Sequence, residues 1–386
     1  GRDQEKLSSQ ISRIPKGKAM VSSAVEKRLR LDSLTGLRWW AAFGVFAYHM
    51  ANLAPLRHQN FFNVGYTGVS FFFVLSGFVL TWSQTPTTGV RQFWWRRFAR
   101  IWPAHICALL PCLVIFYSFH PDPNSPWVKE FSVPILLLSV VLLQGFFTNP
   151  VILFSGNPAA WTLSCEMFFY FLHPLVSPRA GMEKKHSVLM LGVALSVGIS
   201  FCLLRRKGVI LPPPLERLWE FFLGMALAHL MRKGTRIRFP AWTVYGLLGF
   251  VVAYYWILNS HFWQATGILF TSLRMFTPVI LASLYTLAIG ICATADLDKR
   301  RSPFRRRLLV TGGEWSYAFY LVHATVLYGV RSLTGVVPWG VYTIPLWIGV
   351  FLLSLLAAGL LHLAIEKPIE KRMRGWGDKK FPPRMS

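Results

Sequence analysis

The sequence has 386 residues, of which 53% are hydrophobic and only 15% are charged, and this balance argues against a soluble enzyme. The net charge of +25 is typical of proteins that bind nucleic acid, but Lys and Arg cluster in short segments between long apolar runs, as they do beside anionic membrane lipid. Nucleic acid is therefore not an expected partner, and the apolar runs predict a polytopic membrane protein.

Residues 1–30 are polar and basic, and they predict a disordered cytoplasmic tail. A single membrane domain is expected over residues 31–374, followed by a short C-terminal tail over residues 375–386. The candidate spans lie at about residues 37–56, 66–83, 101–119, 131–148, 160–178, 187–204, 216–231, 241–258, 276–295, 314–332 and 343–366. Segment 261–274 predicts a re-entrant or interfacial piece that leads into the ninth span.

The positions of the basic clusters indicate which loops are expected to lie on the cytoplasmic side of the membrane. Clusters in both terminal segments and at residues 91–100, 232–238 and 299–307 predict cytoplasmic loops. Eleven complete spans would place the chain ends on opposite sides, so one candidate must be incomplete, and the third and the short seventh are the weakest. We predict an all-α bundle of ten to eleven transmembrane helices, most simply ten, multi-pass in the cell membrane with both termini in the cytoplasm.

Arg38 and His49 are the two ionisable side chains of the first apolar helix, LRWWAAFGVFAYHMANL. They are eleven residues apart, which is three helical turns plus about 20°, so they share one face and lie roughly 16 Å apart along the axis. The histidine is expected about halfway through the bilayer, where an ionisable group is costly. A lone membrane histidine is usually a hydrogen-bonded packing residue, but an arginine on the same face favours a functional one.

The segment FWWRRFARIWP carries Arg97 and Arg100. An aromatic interface belt beside a cytoplasmic loop accounts for this pattern without any function. The two arginines are three residues apart, however, and share a helix face, and paired guanidinium groups bind phosphate well. Both interpretations stay open at the level of composition.

Glu166 lies within the aromatic, apolar segment NPAAWTLSCEMFFYFLHPL. A carboxylate in such a span needs either a cationic partner or a proton. It therefore predicts either a structural bridge to an arginine or a group that takes part in acid/base chemistry.

The late span GGEWSYAFYLVHATVLY places Glu314 and His323 nine residues apart, on opposite sides of a helix, so they cannot pair within it. Tyr317, Tyr320 and His323 instead predict a polar channel. The other histidines and the five cysteines show no metal-ligand or CxxC spacing, so no metal is expected.

Together these motifs resemble the acyltransferase 3 family of integral membrane O-acyltransferases. LDSLTGLRWWAAFGVFAYH is similar to the family's opening helix, with an arginine, ten intervening residues and a histidine. The matches continue in order through GYTGVSFFFVLSGFVL, RRFARIWP, AWTLSCEMFFYFLHP, GEWSYAFYLVH and IEKPIEKRMR, over residues 31–374. The segment SLTGLRWWAAF and the compact size of the chain resemble stand-alone members of the family, which modify macrolide antibiotics or cell-surface glycans.

The resemblance implies transfer of an acyl group from acyl-CoA, either acetyl-CoA or a short-chain acyl-CoA, to a hydroxyl of a carbohydrate or a glycosylated or macrolide small molecule. His49 is then expected to be the general base, or alternatively a transient acyl carrier. Glu166 is expected either to orient or share the proton of that histidine or to anchor the acceptor. Arg38, Arg97 and Arg100 are expected to bind the donor phosphates. The substrate channel is expected to be lined by Ser76, Tyr170, Tyr317 and His323. This arrangement requires a continuous cavity between Arg38 and His49.

The competing interpretation is a proton-coupled transporter in which Arg38, His49 and Glu166 relay protons. Interrupted spans at corresponding positions of two halves are typical of transporters, and the sequence shows no such internal symmetry. The expected partners are membrane lipid, acyl-CoA and a small-molecule or glycan acceptor. The pattern is compatible with a homodimer and does not decide the oligomeric state.

Overall fold

The chain folds as a bundle of α-helices in this computed structural model, which describes residues 30–58, 61–259 and 267–382. The first helices are α1 (Asp32–Met50), α2 (Gly68–Trp82), α3 (Val90–Ile115), α4 (Val133–Val140), α5 (Pro150–Leu153), α6 (Trp161–Val176) and α7 (Lys184–Arg206). The chain continues with α8 (Pro213–Glu216), α9 (Leu218–Arg232), α10 (Thr243–Asn259), α11 (Ile268–Leu297), α12 (Arg307–Thr334), α13 (Thr343–Leu360) and α14 (Lys367–Lys380). In the described ranges, the only strands are β1 (Tyr117–Ser118) and β2 (Lys129–Glu130), which pair in parallel.

The membrane character of the fold is confirmed. Helical segments that are long and apolar enough to cross a membrane include Asn63–Trp82, Val90–Ile115, Lys184–Arg206, Ile268–Leu297 and Thr343–Lys380. Large apolar side chains cover their outer surfaces, as Leu352 and Leu356 do on α13. Such exposure is unfavourable in water and favourable in lipid. The predicted all-α class is therefore correct, while the count of ten spans stays a prediction.

Successive long helices run between two opposite ends of the bundle. At the end where α1, α3 and α12 begin, Ser33 donates to the Asp296 carboxylate close to the end of α11. At the other end, the Val337 N–H after α12 donates to the Leu53 carbonyl after α1. We call the first end the basic end, because its loops carry most of the Lys and Arg residues between helices, and the second the far end.

The predicted span at residues 131–148 is wrong. α4 has only eight residues, Leu142 adopts a positive φ of 59°, and a 3₁₀ turn follows at Gln144–Phe146. About 20 helical residues are needed to cross a bilayer. Exposed Leu137 and Val141 show that the apolar run covers lipid-facing surface without spanning. The fourth candidate is therefore incomplete, whereas the third lies within α3, which is long enough to cross.

Three predicted boundaries also require correction. α1 ends at Met50 and not near residue 56, so His49 lies in its last turn, near the far end and not halfway along. α3 begins at Val90, so the arginines of the predicted 91–100 loop lie within the helix. Of the predicted re-entrant piece at 261–274, residues 261–266 lie outside the described residues, and residues 268–274 form the first turns of α11.

The predictions for the two terminal tails have different outcomes. Residues 1–29 of the predicted N-terminal tail lie outside the described residues. At the other end of the chain, α14 continues as helix to Lys380, beyond residue 374.

Glycines allow two very close approaches to α1. A Cβ at Gly313 of α12 would lie 1.7 Å from the Thr35 carbonyl oxygen of α1. A Cβ at Gly65, in the 3₁₀ turn before α2, would lie 1.9 Å from the Gly44 carbonyl oxygen. Any side chain at these positions would separate the backbones. The glycines therefore fix α12 and the start of α2 directly against α1.

Candidate active site

Polar side chains from five helices meet in one cavity, which we call the central cavity. Its volume is about 130 Å³. α1, α2, α3, α6 and α12 contribute the polar side chains Arg38, Ser76, Arg97, Arg100, Thr162, Glu166, Tyr170, Ser316, Tyr317 and Tyr320. Seven of the nine residues predicted for the site therefore line one space. Apolar side chains such as Phe73 and Leu163 close the remaining wall.

Glu166 is held within this cavity by α6 itself. The Tyr170 hydroxyl, one turn further along the helix, donates to Glu166 Oε2 at 2.9 Å. Arg38, Arg97 and Arg100 also attract the carboxylate electrostatically. In the described residues no cation lies within ion-pair distance of it. A carboxylate held by one hydroxyl in a cationic surrounding keeps lone pairs free to bind a ligand or a proton.

Arg100 has carboxylate partners that the sequence analysis did not assign. Its Nη1 lies 2.7 Å from Glu366 Oε1 and 3.0 Å from Glu370 Oε2. The Glu366 side chain is fully buried, and its Oε2 lies 2.9 Å from His362 Nδ1. Tyr317 packs against the same guanidinium, 5.7 Å from its ring centroid. Arg100 therefore ties α3 to the carboxyl-terminal helices.

Arg97 is in a different situation, although it lies only one turn away on the same helix. Its Nε is buried and has no hydrogen-bond partner among the described residues. Its guanidinium packs over the Phe93 ring at 5.6 Å, and no ion pair of the described residues includes it. Arg97 also lines a smaller cavity of about 60 Å³ at the basic end, together with Arg96 and Arg179. It therefore stands between the central cavity and this opening, with donors that remain unused.

Arg38 lies on the α1 side of the central cavity, in the second turn of its helix. Glu166 and Glu366 attract it electrostatically, but neither lies within ion-pair distance. Its charge is thus balanced by its surroundings and not by one fixed partner.

His49 pairs with His323. Its Nδ1 lies 3.0 Å from His323 Nε2, while His323 Nδ1 lies 2.8 Å from the Tyr320 carbonyl oxygen. A carbonyl oxygen only accepts, so His323 Nδ1 carries the proton and its Nε2, in the neutral ring, is an acceptor. The proton between the two rings must then belong to His49 Nδ1. This assignment leaves His49 Nε2 deprotonated, as a general base requires.

The central cavity and the histidine pair are separate, so the predicted continuous cavity is absent. Neither His49 nor His323 lines the central cavity. Tyr320 stands between them, since it lines the cavity and its ring centroid lies 5.7 Å from that of His323. The Tyr320 hydroxyl donates to the Ala159 carbonyl at 3.3 Å, which holds the ring in this position.

Two groups of functional candidates were missed by the sequence analysis. Glu366 and Glu370 are four residues apart, a spacing that places both on one helix face, and this signal was present in IEKPIEKRMR. Arg217 and Glu220 form a buried pair at 3.0 Å, and Ser70 donates to the same carboxylate at 3.0 Å. Their spacing of three residues was a weaker signal, because it does not reveal the contact with Ser70.

Comparisons with known proteins confirm the resemblance. The family described as an acyltransferase domain matches residues 31–363. Acyltransferase MdmB of Streptomyces mycarofaciens is 31% identical, over 88% of this chain and 92% of its own length. O-acetyltransferase OatA of Staphylococcus aureus is 25% identical over 89% of this chain, which spans only 57% of OatA. Peptidoglycan O-acetyltransferase OatA of Listeria monocytogenes is 33% identical over 45% of this chain and 28% of its own length. No solved structure matches.

Proposed function

Because this chain belongs to the acyltransferase domain family and is a membrane O-acyltransferase, we propose that it takes its acyl group from acyl-CoA and that His49 is the general base. The donor is acetyl-CoA or a short-chain acyl-CoA. The acceptor is a hydroxyl of a carbohydrate or of a glycosylated or macrolide small molecule. Glycan acceptors agree with the name of the peptidoglycan O-acetyltransferase among the relatives.

The observation that carries this proposal is the hydrogen-bond chain from Tyr320 through His323 to His49. In the reaction, His49 Nε2 takes the proton of the acceptor hydroxyl as the hydroxyl oxygen bonds to the thioester carbonyl carbon. The carbon–sulfur bond breaks, and the proton on His49 passes to the departing thiolate. His323 touches no substrate and acts as a positioning residue, because it fixes the tautomer of His49.

The donor is expected to enter from the basic end. Arg97 fits a phosphate group, because in the described part of the chain its buried Nε has no hydrogen-bond partner and its guanidinium forms no ion pair. Arg38 adds positive charge further along, whereas the charge of Arg100 is already compensated by two carboxylates. The pantetheine arm would then follow Ser76, Tyr317 and Glu166 towards Tyr320. Tyr320 must move to let the thioester reach His49.

The basic end is expected to face the cytoplasm, because Lys and Arg are retained on that side of a membrane protein. In this orientation the donor enters from the cytoplasm, where CoA esters are made, and His49 lies towards the outer surface of the cell membrane. Both ends of the membrane domain are then cytoplasmic.

The decisive experiment compares His49→Ala with the wild-type chain, purified in detergent and supplied with acetyl-CoA, a thiol reagent and a panel of hydroxyl acceptors. We expect a 10²–10⁴-fold loss of acceptor-dependent CoA release, the usual contribution of a general base. His58→Ala, at an exposed loop position, is the matched control and should keep full activity.

Full activity of His49→Ala in properly folded protein would contradict the role of the histidine. Absence of CoA release in the wild-type chain, combined with acceptor-independent proton movement in liposomes, would favour the transporter instead.

A further inference from the structure

A second and larger cavity lies at the far end of the bundle, between α7, α8, α10 and α11. We call it the arginine-lined cavity, since its wall includes Arg205, Arg206, Arg217 and Arg274. Its volume is about 560 Å³, against about 130 Å³ for the central cavity. Of the two, only the arginine-lined cavity has the usual size of a site for a small molecule.

Two of these four arginines are already compensated. Arg205 lies 2.7 Å from Glu216, which is the acidic residue in the cavity wall. Arg217 lies 3.0 Å from Glu220, and the Glu220 side chain is fully buried. These two pairs shape the wall and add little net charge.

Arg206 leaves an excess of positive charge, and Arg274 is held in the wall. Arg206 is exposed at the end of α7, and no ion pair among the described residues includes it. Arg274 Nε donates to the Leu258 carbonyl at 2.7 Å, which holds its guanidinium in the wall. Guanidinium groups in this situation favour a carboxylate or a phosphate and disfavour a cation.

The remainder of the wall suits a sugar. Tyr66, Tyr255 and Trp219 contribute aromatic rings, and Asn259 and Thr271 contribute hydrogen-bonding side chains. The rings of Tyr66 and Tyr255 meet edge to face, with centroids 5.9 Å apart. Rings that pack against the C–H face of a sugar, with polar groups for its hydroxyls, are the combination expected for a carbohydrate.

The beginning of α2 joins this cavity to the reaction site. Tyr66 lines the arginine-lined cavity, and its ring lies 5.7 Å from Tyr48, which lies 5.1 Å from the His49 ring. One turn later, Val69 and Phe72 line the central cavity. A single stretch of helix therefore separates the two cavities, and His49 lies two ring contacts from the larger one.

We propose that the arginine-lined cavity is the acceptor site and that it selects sugars that carry a carboxylate or a phosphate. Arg206 and Arg274 bind the anionic group, and the aromatic wall binds the ring. This inference rests on the proposed function, since it names the class of acceptor for that reaction.

Binding is tested apart from catalysis in the full chain carrying His49→Ala, in nanodiscs of phosphatidylcholine. The probes are methyl glucoside, methyl glucuronide, glucose 1-phosphate and methyl glucosaminide, which differ mainly in charge. We expect the two anionic probes to bind at least tenfold more tightly than the neutral one, and the cationic probe to bind most weakly. Arg206→Gln should remove most of this difference, whereas Lys207→Gln, an exposed neighbour outside the cavity wall, should keep it.

Turnover of the same probes by the wild-type chain separates this inference from the proposed function. Anion-selective binding without CoA release supports the cavity and contradicts the proposed function. CoA release with equal KM for all four probes supports the proposed function and overturns the inference. Equal binding of all four probes, or the same loss for Arg206→Gln and Lys207→Gln, also overturns it.

Two further arms identify the source of the anion. Glucose linked through phosphate to a polyprenyl chain is compared with glucose 1-phosphate, and tighter binding of the lipid-linked sugar assigns the acceptor to the membrane. Nanodiscs of phosphatidylglycerol test for a plain lipid headgroup. If that lipid abolishes binding of every sugar and depends on Arg206, the cavity is a lipid site and the inference is wrong.

Discussion

The central cavity and the arginine-lined cavity differ in how far carboxylates compensate the charge of their arginines. In the central cavity, Arg100 forms ion pairs with Glu366 and Glu370, and the Glu166 carboxylate balances the remaining positive charge. In the arginine-lined cavity, Arg206 forms no ion pair with any of the residues that the structure describes. The first arrangement fixes the positions of its groups before a ligand arrives, and the second leaves charge for the ligand to neutralise. A preorganised site suits chemistry, and an uncompensated site suits recognition.

Removing the compensation in the central cavity should have the largest effect. Glu366→Ala leaves Arg100 with one carboxylate in place of two, inside the protein. Loss of one partner of a buried ion pair costs about 3–5 kcal/mol. We expect a fall of this size in the free energy of unfolding, measured by chemical denaturation in detergent.

The matched control is Glu183→Ala, which breaks a largely exposed pair with Lys185. Exposed pairs contribute about 1 kcal/mol or less, so this variant should be nearly as stable as the wild type. Equal losses in the two variants would show that the Arg100 pair is not a structural tie.

The region between the two cavities is probed through His323. His323→Leu removes the acceptor that orients the Nδ1 proton of His49, and we expect kcat to fall about 100-fold, within the range for general-base catalysis. His323→Gln supplies a side-chain oxygen that accepts the same proton and should recover a large part of the rate. The measurement is kcat with saturating donor and acceptor.

A structural role for His323 makes a different prediction. In that case both variants would lower stability and activity together, and glutamine would give no recovery.

The smallest effect is expected for Arg97, which is the exception within the central cavity because it is not compensated. A hydrogen bond to a charged group contributes about 1.5–3 kcal/mol, so Arg97→Gln should raise the donor KM about tenfold or more. The acceptor KM and the stability should hardly change, because no ion pair is lost. Arg91→Gln, at an exposed position on the same helix, is the control.

An increase in the acceptor KM of Arg97→Gln, with an unchanged donor KM, would contradict the phosphate role. It would also remove the functional distinction between Arg97 and Arg100 within the central cavity.

Much of the site was predictable because its residues lie within long helices. Arg38, Arg97 and Glu166 each stand out as charges in apolar segments, and helices that pack side by side bring such charges together. The fourth predicted span failed for a related reason. Hydropathy cannot distinguish a crossing helix from the short α4, whose exposed side chains also face lipid.

The other differences arise from tertiary contacts. The pairing of His49 with His323 joins residues 274 positions apart, and spacing within one helix carries no information about it. The interruption at Tyr320 depends on the position of the Ala159 carbonyl, which is 161 positions away in sequence. The wall of the arginine-lined cavity comes from five separate segments of the chain, so no local sequence motif predicts it.

The final helical stretch has a consequence for how the protein sits in its bilayer. Thr343–Lys380 is continuous for 38 residues, with a π-helical turn at Leu361–Glu366. Its length of roughly 57 Å is nearly twice the thickness of the hydrocarbon core. The basic part beyond Glu366 therefore extends past the lipid, and its lysines and arginines resist being drawn in. Through the ion pair between Glu366 and Arg100, the helix holds Arg100 at a set distance from the membrane surface, whatever the local lipid thickness.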